Sequence, residues 1–121
     1  MSKMPVVFVG HGSPMNAIED NDYSRTWRDI AVRIPKPEVI ISVSAHWFTK
    51  GTKIMNGEAP ETIYDMYCFP KKLYEVVYDP PGSPGIAKIT KELISKETEY
   101  DNSWGIDHGT WSVLVHMYPD R

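Results

Sequence analysis

The chain has 121 residues, a length typical of one domain, and its 41% hydrophobic and 24% charged residues exclude a wholly disordered protein. Its 13 Lys and Arg against 16 Asp and Glu give a formal net charge of -3, which argues against a nucleic-acid binder because such proteins carry basic patches. Ten prolines disfavour an all-helical fold, since each interior proline removes a backbone hydrogen bond.

The first half of the sequence predicts a strand, a helix and a second strand. Pro5–Val9 is a short apolar run rich in β-branched residues, which is typical of a buried strand. Cap candidates at Asn21–Ser24 precede apolar residues at helical spacing, which predicts a helix through Arg33. Glu38–Ala45 is the second predicted buried strand, and the short connections favour a parallel βαβ unit.

The second half of the sequence contains one clear helix and several weaker elements. Ser83 is a good N-cap, and Pro84 suits the first position of an amphipathic helix. The other candidates are strands at Gly51–Met55 and Thr98–Asp101, a helix at Gly109–Tyr118, and a helical turn or strand at Lys71–Tyr78. We therefore predict an α/β fold with three α/β/α layers around a mostly parallel or mixed sheet.

Two features of the sequence bear on its compartment. No apolar run is long enough to span a bilayer, and we expect no signal peptide and no membrane contact. The single cysteine, Cys68, excludes an intrachain disulfide. We expect it to pack as a small hydrophobic residue rather than act as a nucleophile, since no nearby motif supplies a base. These features predict a cytoplasmic protein.

Two histidines come directly after the predicted strands of the first half. His11 lies in Gly-His-Gly-Ser-Pro, and His46 lies in Ser-Ala-His-Trp. Ligands of open parallel sheets bind outside the carboxyl ends of the strands, so both side chains are expected in one crevice. Because neutral imidazole is a common metal ligand, we predict a metal-binding pair, although either histidine alone would more often be an ordinary hydrogen-bonded residue.

His108 lies in a third motif, between Trp104 and Trp111. The flanking glycines and tryptophans fit an aromatic-lined pocket, in which Trp47 would also be a candidate wall. They equally fit a helix that Asp107 caps, with His108 and the tryptophans only packing. The pattern leaves both interpretations open. A structural role is expected for the remaining histidine, His116.

The three histidine motifs resemble those of a known family. They read Val-Gly-His11-Gly-Ser-Pro-Met-Asn, then Val-Ser-Ala-His46-Trp-Phe, then Gly-Ile-Asp-His108-Gly-Thr-Trp-Ser-Val-Leu. They resemble the N-terminal half of class III extradiol ring-cleavage dioxygenases, in the DOPA 4,5-dioxygenase-like branch. The resemblance implies that residues 1–121 are one truncated catalytic domain.

The same resemblance implies a reaction and a set of site residues. His11 and His46 would be metal ligands, and His108 would be a catalytic residue that contacts the substrate. Iron(II) is expected for activity, with zinc(II) able to occupy the site, and the substrates would be a catechol-type aromatic compound and O2. The third metal ligand and an acid–base histidine belong to the C-terminal half of the family domain. The nearest carboxylates, Asp107, Glu58 and Glu61, are weaker candidates to replace these missing site residues.

Two other functions fit the sequence less well. One is a non-catalytic, self-associating metal-binding or interaction protein derived from the same family, which predicts a homo-oligomer. The other is a zinc hydrolase, since two histidines with an open metal position also suit water activation. The sequence lacks a His-Glu-x-x-His motif, which ranks the hydrolase last.

Overall fold

The computed structural model describes residues 3–120 and contains, in that range, three α-helices and one two-stranded parallel sheet. In chain order the elements are α1 (Asp22–Arg33), β1 (Thr52–Ile54), α2 (Pro84–Leu93), β2 (Thr98–Tyr100) and α3 (His108–Met117), with 3₁₀ helices at Pro14–Ala17 and Lys71–Glu75. The predicted α/β class is confirmed. None of the described helices is long and apolar enough to cross a membrane.

Helices α1 and α2 begin at the predicted caps. The Asn21 side chain accepts a hydrogen bond from the Ser24 backbone N–H, and the Ser24 hydroxyl accepts one from the Asn21 N–H. Ser83 accepts from the Ile86 N–H, with Pro84 in the first helical position. Each cap satisfies N–H groups that have no partner inside the helix, which stabilises the helix by about 1 kcal/mol.

The sheet forms where the weaker strand signals predicted it. β1 and β2 pair in parallel, with Thr52 opposite Thr98 and Ile54 opposite Tyr100. Further along the same two chain segments, Thr62 and Ile106 form an isolated parallel bridge. This bridge brings the residues that precede α3 alongside the segment from residue 61 to 65.

The two strongest strand predictions are wrong for this structure. Neither Pro5–Val9 nor Glu38–Ala45 forms a strand, and no strand within residues 3–120 pairs with either. Val6, Phe8 and Val43 are 99%, 101% and 94% exposed. A strand exists only where a neighbouring strand supplies partners for its N–H and C=O groups, so apolar composition is not sufficient to form one.

The core lies between α3 and the two 3₁₀ helices. Its central buried residues are Ala17, Met66, Leu73, Tyr78 and Trp111. The indole N–H of Trp111 donates to the Ile63 carbonyl at 2.9 Å, and the Tyr78 hydroxyl donates to the Tyr118 carbonyl at 2.8 Å. These bonds fix α3 at both ends, so its first turn has a defined position.

Cys68 does not pack as expected. Its side chain is exposed, and its backbone has a positive φ of 63° in a bend of the loop before Lys71–Glu75. The chain bends at this position on the outside of the core, which leaves the thiol in solvent.

Candidate metal centre

The structure brings His11, His46 and His108 together. One ring nitrogen from each lies within 4.8 Å of the others, and the Nε2 atoms of His11 and His46 are 2.8 Å apart. The ring centroid of His108 lies 5.0 Å from that of His11 and 4.1 Å from that of His46. Three motifs far apart in sequence therefore form one cluster.

His11 is positioned by the 3₁₀ helix that follows it. The Asn16 side chain donates to the His11 carbonyl at 2.9 Å and accepts from the Asn21 side-chain amide at 2.7 Å. Gly12 between them has a positive φ of 63°, which glycine adopts without steric cost. The His11 loop is thus connected through buried Asn16 to the N-cap of α1.

His46 lies against the first turn of α3. A Cβ atom at Gly109 would lie 2.5 Å from His46 Cδ2 and 3.2 Å from the Ser44 hydroxyl, so glycine permits this close approach. The hydroxyls of Ser42 and Thr110 are 2.8 Å apart and hydrogen-bond beside it. The segment containing His46 therefore contacts α3, although it forms no strand.

The structure shows the expected Asp107 cap in the His108 motif and also places His108 beside the other two histidines. Asp107 caps α3 by accepting from the Thr110 N–H at 3.2 Å, and its other oxygen accepts from the Trp104 indole at 2.8 Å. His108, the first residue of the helix, is buried and its ring faces the other two histidines. The cap therefore places His108 in the cluster.

Asp65 contacts the histidine cluster although no sequence motif marks it. Its Oδ1 accepts a hydrogen bond from the His108 backbone N–H at 2.9 Å and lies 2.9 Å from His108 Nδ1. The contact with Nδ1 is close but not aligned as a hydrogen bond. No local pattern connects residue 65 with residue 108. The one sequence signal for Asp65 is that an acidic residue lies among aromatic neighbours.

Burial lowers the pKa of His11 below its usual value. The neighbouring His108 and His46 lower it further, while the Gly12 backbone and the Asp107 carboxylate partly oppose the shift. A lowered pKa favours the neutral imidazole, which is the form that binds metal ions.

An open pocket of about 520 Å³ lies beside the cluster. Its lining includes His46, Asp65, Tyr64, Tyr67 and Trp104, so aromatic faces border it. Trp104 thus lines a pocket as predicted. Trp111 is fully buried in the core, and Trp47 is not among the lining residues.

The candidate substitute carboxylates do not join the cluster. Glu58 and Glu61 line a separate pocket with Val77 and Pro81, and the two oxygens of Asp107 are engaged by Thr110 and Trp104.

His116 is a structural residue, as expected. Its Nε2 lies 2.7 Å from the Asn16 carbonyl and its Nδ1 lies 2.9 Å from Arg28 Nη2.

The histidine cluster fits a transition-metal ion. With metal–nitrogen bonds of about 2.0–2.1 Å, two adjacent ligand nitrogens are separated by about 3 Å, and the two Nε2 atoms are 2.8 Å apart. Imidazole ligands suit both iron and zinc. The imidazole donor set is therefore chemically compatible with either metal.

Comparison with known proteins gives consistent matches. A family model described as the catalytic LigB subunit of aromatic ring-opening dioxygenase matches residues 1–121. The chain is 48% identical to the 4,5-DOPA dioxygenase extradiol of Escherichia coli strain K12, over 98% of this chain and 45% of that protein. It is 37% identical to the protein of the same name from Beta vulgaris, over 93% of this chain and 45% of that one.

A solved structure is also similar. The crystal structure of an uncharacterized protein from Escherichia coli K12 matches with a TM-score of 0.62 at 41% identity, covering 84% of this chain and 37% of that one. The chain therefore spans less than half the length of these relatives, which fits the predicted match to the N-terminal half of the family domain.

Proposed function

Since the chain belongs to the family of catalytic LigB subunits of aromatic ring-opening dioxygenases, we propose that it carries part of a metal-dependent extradiol site. The site would cleave catechol-type rings with O2, and residues 1–121 would be one part of a three-layer catalytic domain. The observation that supports this most is the convergence of His11, His46 and His108 beside an aromatic-lined pocket.

In this proposal His11 and His46 bind the metal ion through their Nε2 atoms. Iron(II), if held by these residues, would supply the redox chemistry that allows O2 to react with a catechol-type ring. The lowered pKa of His11 keeps its ring neutral and available as a ligand near neutral pH. Zinc(II) would occupy the same imidazole ligands without redox chemistry.

His108 contacts the substrate in this proposal. Its ring lies against that of His46, which lines the pocket, and the proposal requires a planar aromatic compound in the pocket to reach past His46 to His108. A neutral His108 accepts a proton from a phenolic hydroxyl at its free ring nitrogen. Tyr64 and Trp104 offer apolar faces for the substrate ring.

Metal binding by the full chain tests the ligand assignment. We expect zinc(II) or iron(II) to bind the wild type and not the His11→Ala, His46→Ala double variant, measured by calorimetry and by metal content after dialysis. His116→Gln, at the histidine outside the cluster, is the matched control and should bind as the wild type does, because the glutamine amide keeps a hydrogen-bond donor for the Asn16 carbonyl. Equal metal content in the wild type and the double variant would contradict the proposal.

Ring cleavage is tested after completing the domain. We would co-express the chain with the part of the Escherichia coli relative that it does not match, and add iron(II), oxygen and a series of catechols. A yellow ring-opened product that is lost in His11→Ala supports the proposal. Absence of product with every catechol from a folded, iron-loaded complex counts against it.

A second candidate function is a non-catalytic, self-associating protein. The observation that favours it is the exposure of Val6, Phe8 and Val43, because exposed apolar segments promote association between chains. Light scattering would show a stable homo-oligomer if this candidate is right. A strictly monomeric chain would exclude it.

A further inference from the structure

We propose that Asp65 is a positioning residue that holds His108 in the tautomer carrying its proton on Nδ1. This inference deepens the proposed function, because it defines which ring nitrogen of His108 is left for the substrate. It rests on the proposed function only for the role of His108.

One carboxylate oxygen contacts both the main chain and the side chain of His108. Asp65 Oδ1 accepts the backbone N–H at 2.9 Å and lies 2.9 Å from ring Nδ1. The two side chains are 12% and 8% exposed, so water competes little for these contacts. Attachment at two points restrains the start of α3 and the orientation of the ring together.

The charge of the carboxylate selects the tautomer. A neutral imidazole carries its proton on one nitrogen and a lone pair on the other, and an ionised carboxylate only accepts hydrogen bonds. If Nδ1 carried the lone pair, two acceptors would face each other at 2.9 Å in a nearly buried site. With the proton on Nδ1, the same 2.9 Å approach becomes an attraction between a polar N–H group and a negative charge.

This choice of tautomer determines the state of the other ring nitrogen of His108, Nε2. In the Nδ1–H tautomer, Nε2 carries the lone pair. This is the form that can accept a proton from a bound hydroxyl group. Asp65 therefore acts through His108, and it also lines the pocket beside His46.

Nitrogen NMR reads the tautomer directly. We would record long-range ¹H–¹⁵N spectra of the ¹⁵N-labelled full chain without metal at a pH where the histidines are neutral. We expect His108 in the wild type to show a protonated Nδ1 and an unprotonated Nε2. Asp65→Ala should lose this preference, and Asp65→Asn should retain part of it, since its amide oxygen still accepts a hydrogen bond.

Two controls separate positioning from a loss of folding. Glu61→Gln removes an exposed carboxylate on the same loop and should leave His108 unchanged. The signals of His116, which contacts Asn16 and Arg28, report whether each variant retains the packing of α3. Asp65→Asn keeps an acceptor for the His108 N–H, so it is the variant more certain to fold.

Two results would overturn the inference. One is a wild-type His108 with its proton on Nε2, which needs no variant to be observed. The other is an unchanged Nδ1–H preference in folded Asp65→Ala. Neither result depends on metal, substrate or oxygen, so each leaves the proposed dioxygenase function to be judged by its own tests.

Discussion

At the scale of single residues, the site depends on short-range steric and polar details around three histidines. The histidines themselves could be predicted because each lies in a recognisable local motif. Asp65 could not, since its contact with His108 spans 43 residues and no spacing in the sequence encodes it. The same applies to Gly109, whose importance becomes visible only through its closeness to His46.

Gly109→Ala should weaken metal binding. An added Cβ would meet His46 Cδ2 at 2.5 Å, so the His46 ring must leave its present position beside His11. We expect a loss of about tenfold or more in zinc(II) affinity by calorimetry, comparable to the loss of a ligand-orienting partner.

Gly85→Ala is the matched control for Gly109→Ala. Gly85 lies in the first turn of α2 with nothing near its missing Cβ, so alanine should stabilise the chain by about 0.5–1 kcal/mol. Its zinc(II) affinity should equal that of the wild type. An unaltered affinity in Gly109→Ala would show that His46 tolerates the displacement.

Cys68→Gly should stabilise the protein. A non-glycine residue at a φ of 63° carries a steric cost that glycine avoids, partly offset by the greater freedom of glycine in the unfolded chain. We expect a gain of about 0.5–1 kcal/mol in the free energy of unfolding, measured in urea. Cys68→Ser keeps the Cβ and should show no such gain.

At the scale of elements, the helices form where they are predicted, whereas the two strongest strand predictions are wrong and only the two weaker ones are confirmed. Helix signals are local, because the caps at Asn21 and Ser83 and the apolar spacing lie within the element itself. Strand formation depends on a partner elsewhere in the chain. Pro5–Val9 and Glu38–Ala45 have strand-like composition, yet within residues 3–120 they have no strand partner.

Asn21→Ala should affect both α1 and the metal centre. Loss of the cap costs about 1 kcal/mol, and the variant also loses the hydrogen bond that holds Asn16 beneath His11. We expect a lower melting temperature and a weaker zinc(II) affinity. Ser83→Ala removes the equivalent cap of α2, away from the histidines, and should lower stability alone. Equal zinc(II) affinity in both variants would show that Asn16 needs no support from α1.

At the scale of the whole molecule, the resemblance covers the chain but less than half of each curated relative. The family could be predicted because its three histidine motifs occur in order within 121 residues. The sheet has two strands among the described residues, and the three-layer arrangement stays a prediction.

Acidification should destabilise the metal-free chain through His11. Its pKa is lowered in the folded state, so the unfolded chain binds the proton more readily. The contribution of neutral His11 to the free energy of unfolding is fully present above the unfolded-state pKa of about 6.5, and it is lost as the pH falls through the pKa of the folded state. Urea unfolding across this range should show stability falling with pH, and less steeply in His11→Gln. If the free energy of unfolding falls equally steeply with pH in His11→Gln, other groups cause the pH dependence.

His11 and His46 follow the two apolar segments that have no strand partner within residues 3–120, and the two histidines are 35 positions apart in the sequence. A metal ion bound by both histidines would crosslink the chain and close a loop from residue 11 to residue 46. The crosslink would also restrict the unfolded chain only if both histidines stayed bound to the ion after unfolding. Ligand binding to the folded state alone adds about 2.7 kcal/mol at a concentration 100 times the Kd. Zinc(II) should therefore raise the melting temperature, and hydrogen exchange should slow at residues 5–9 and 38–45, so that the two ends of the loop gain order together.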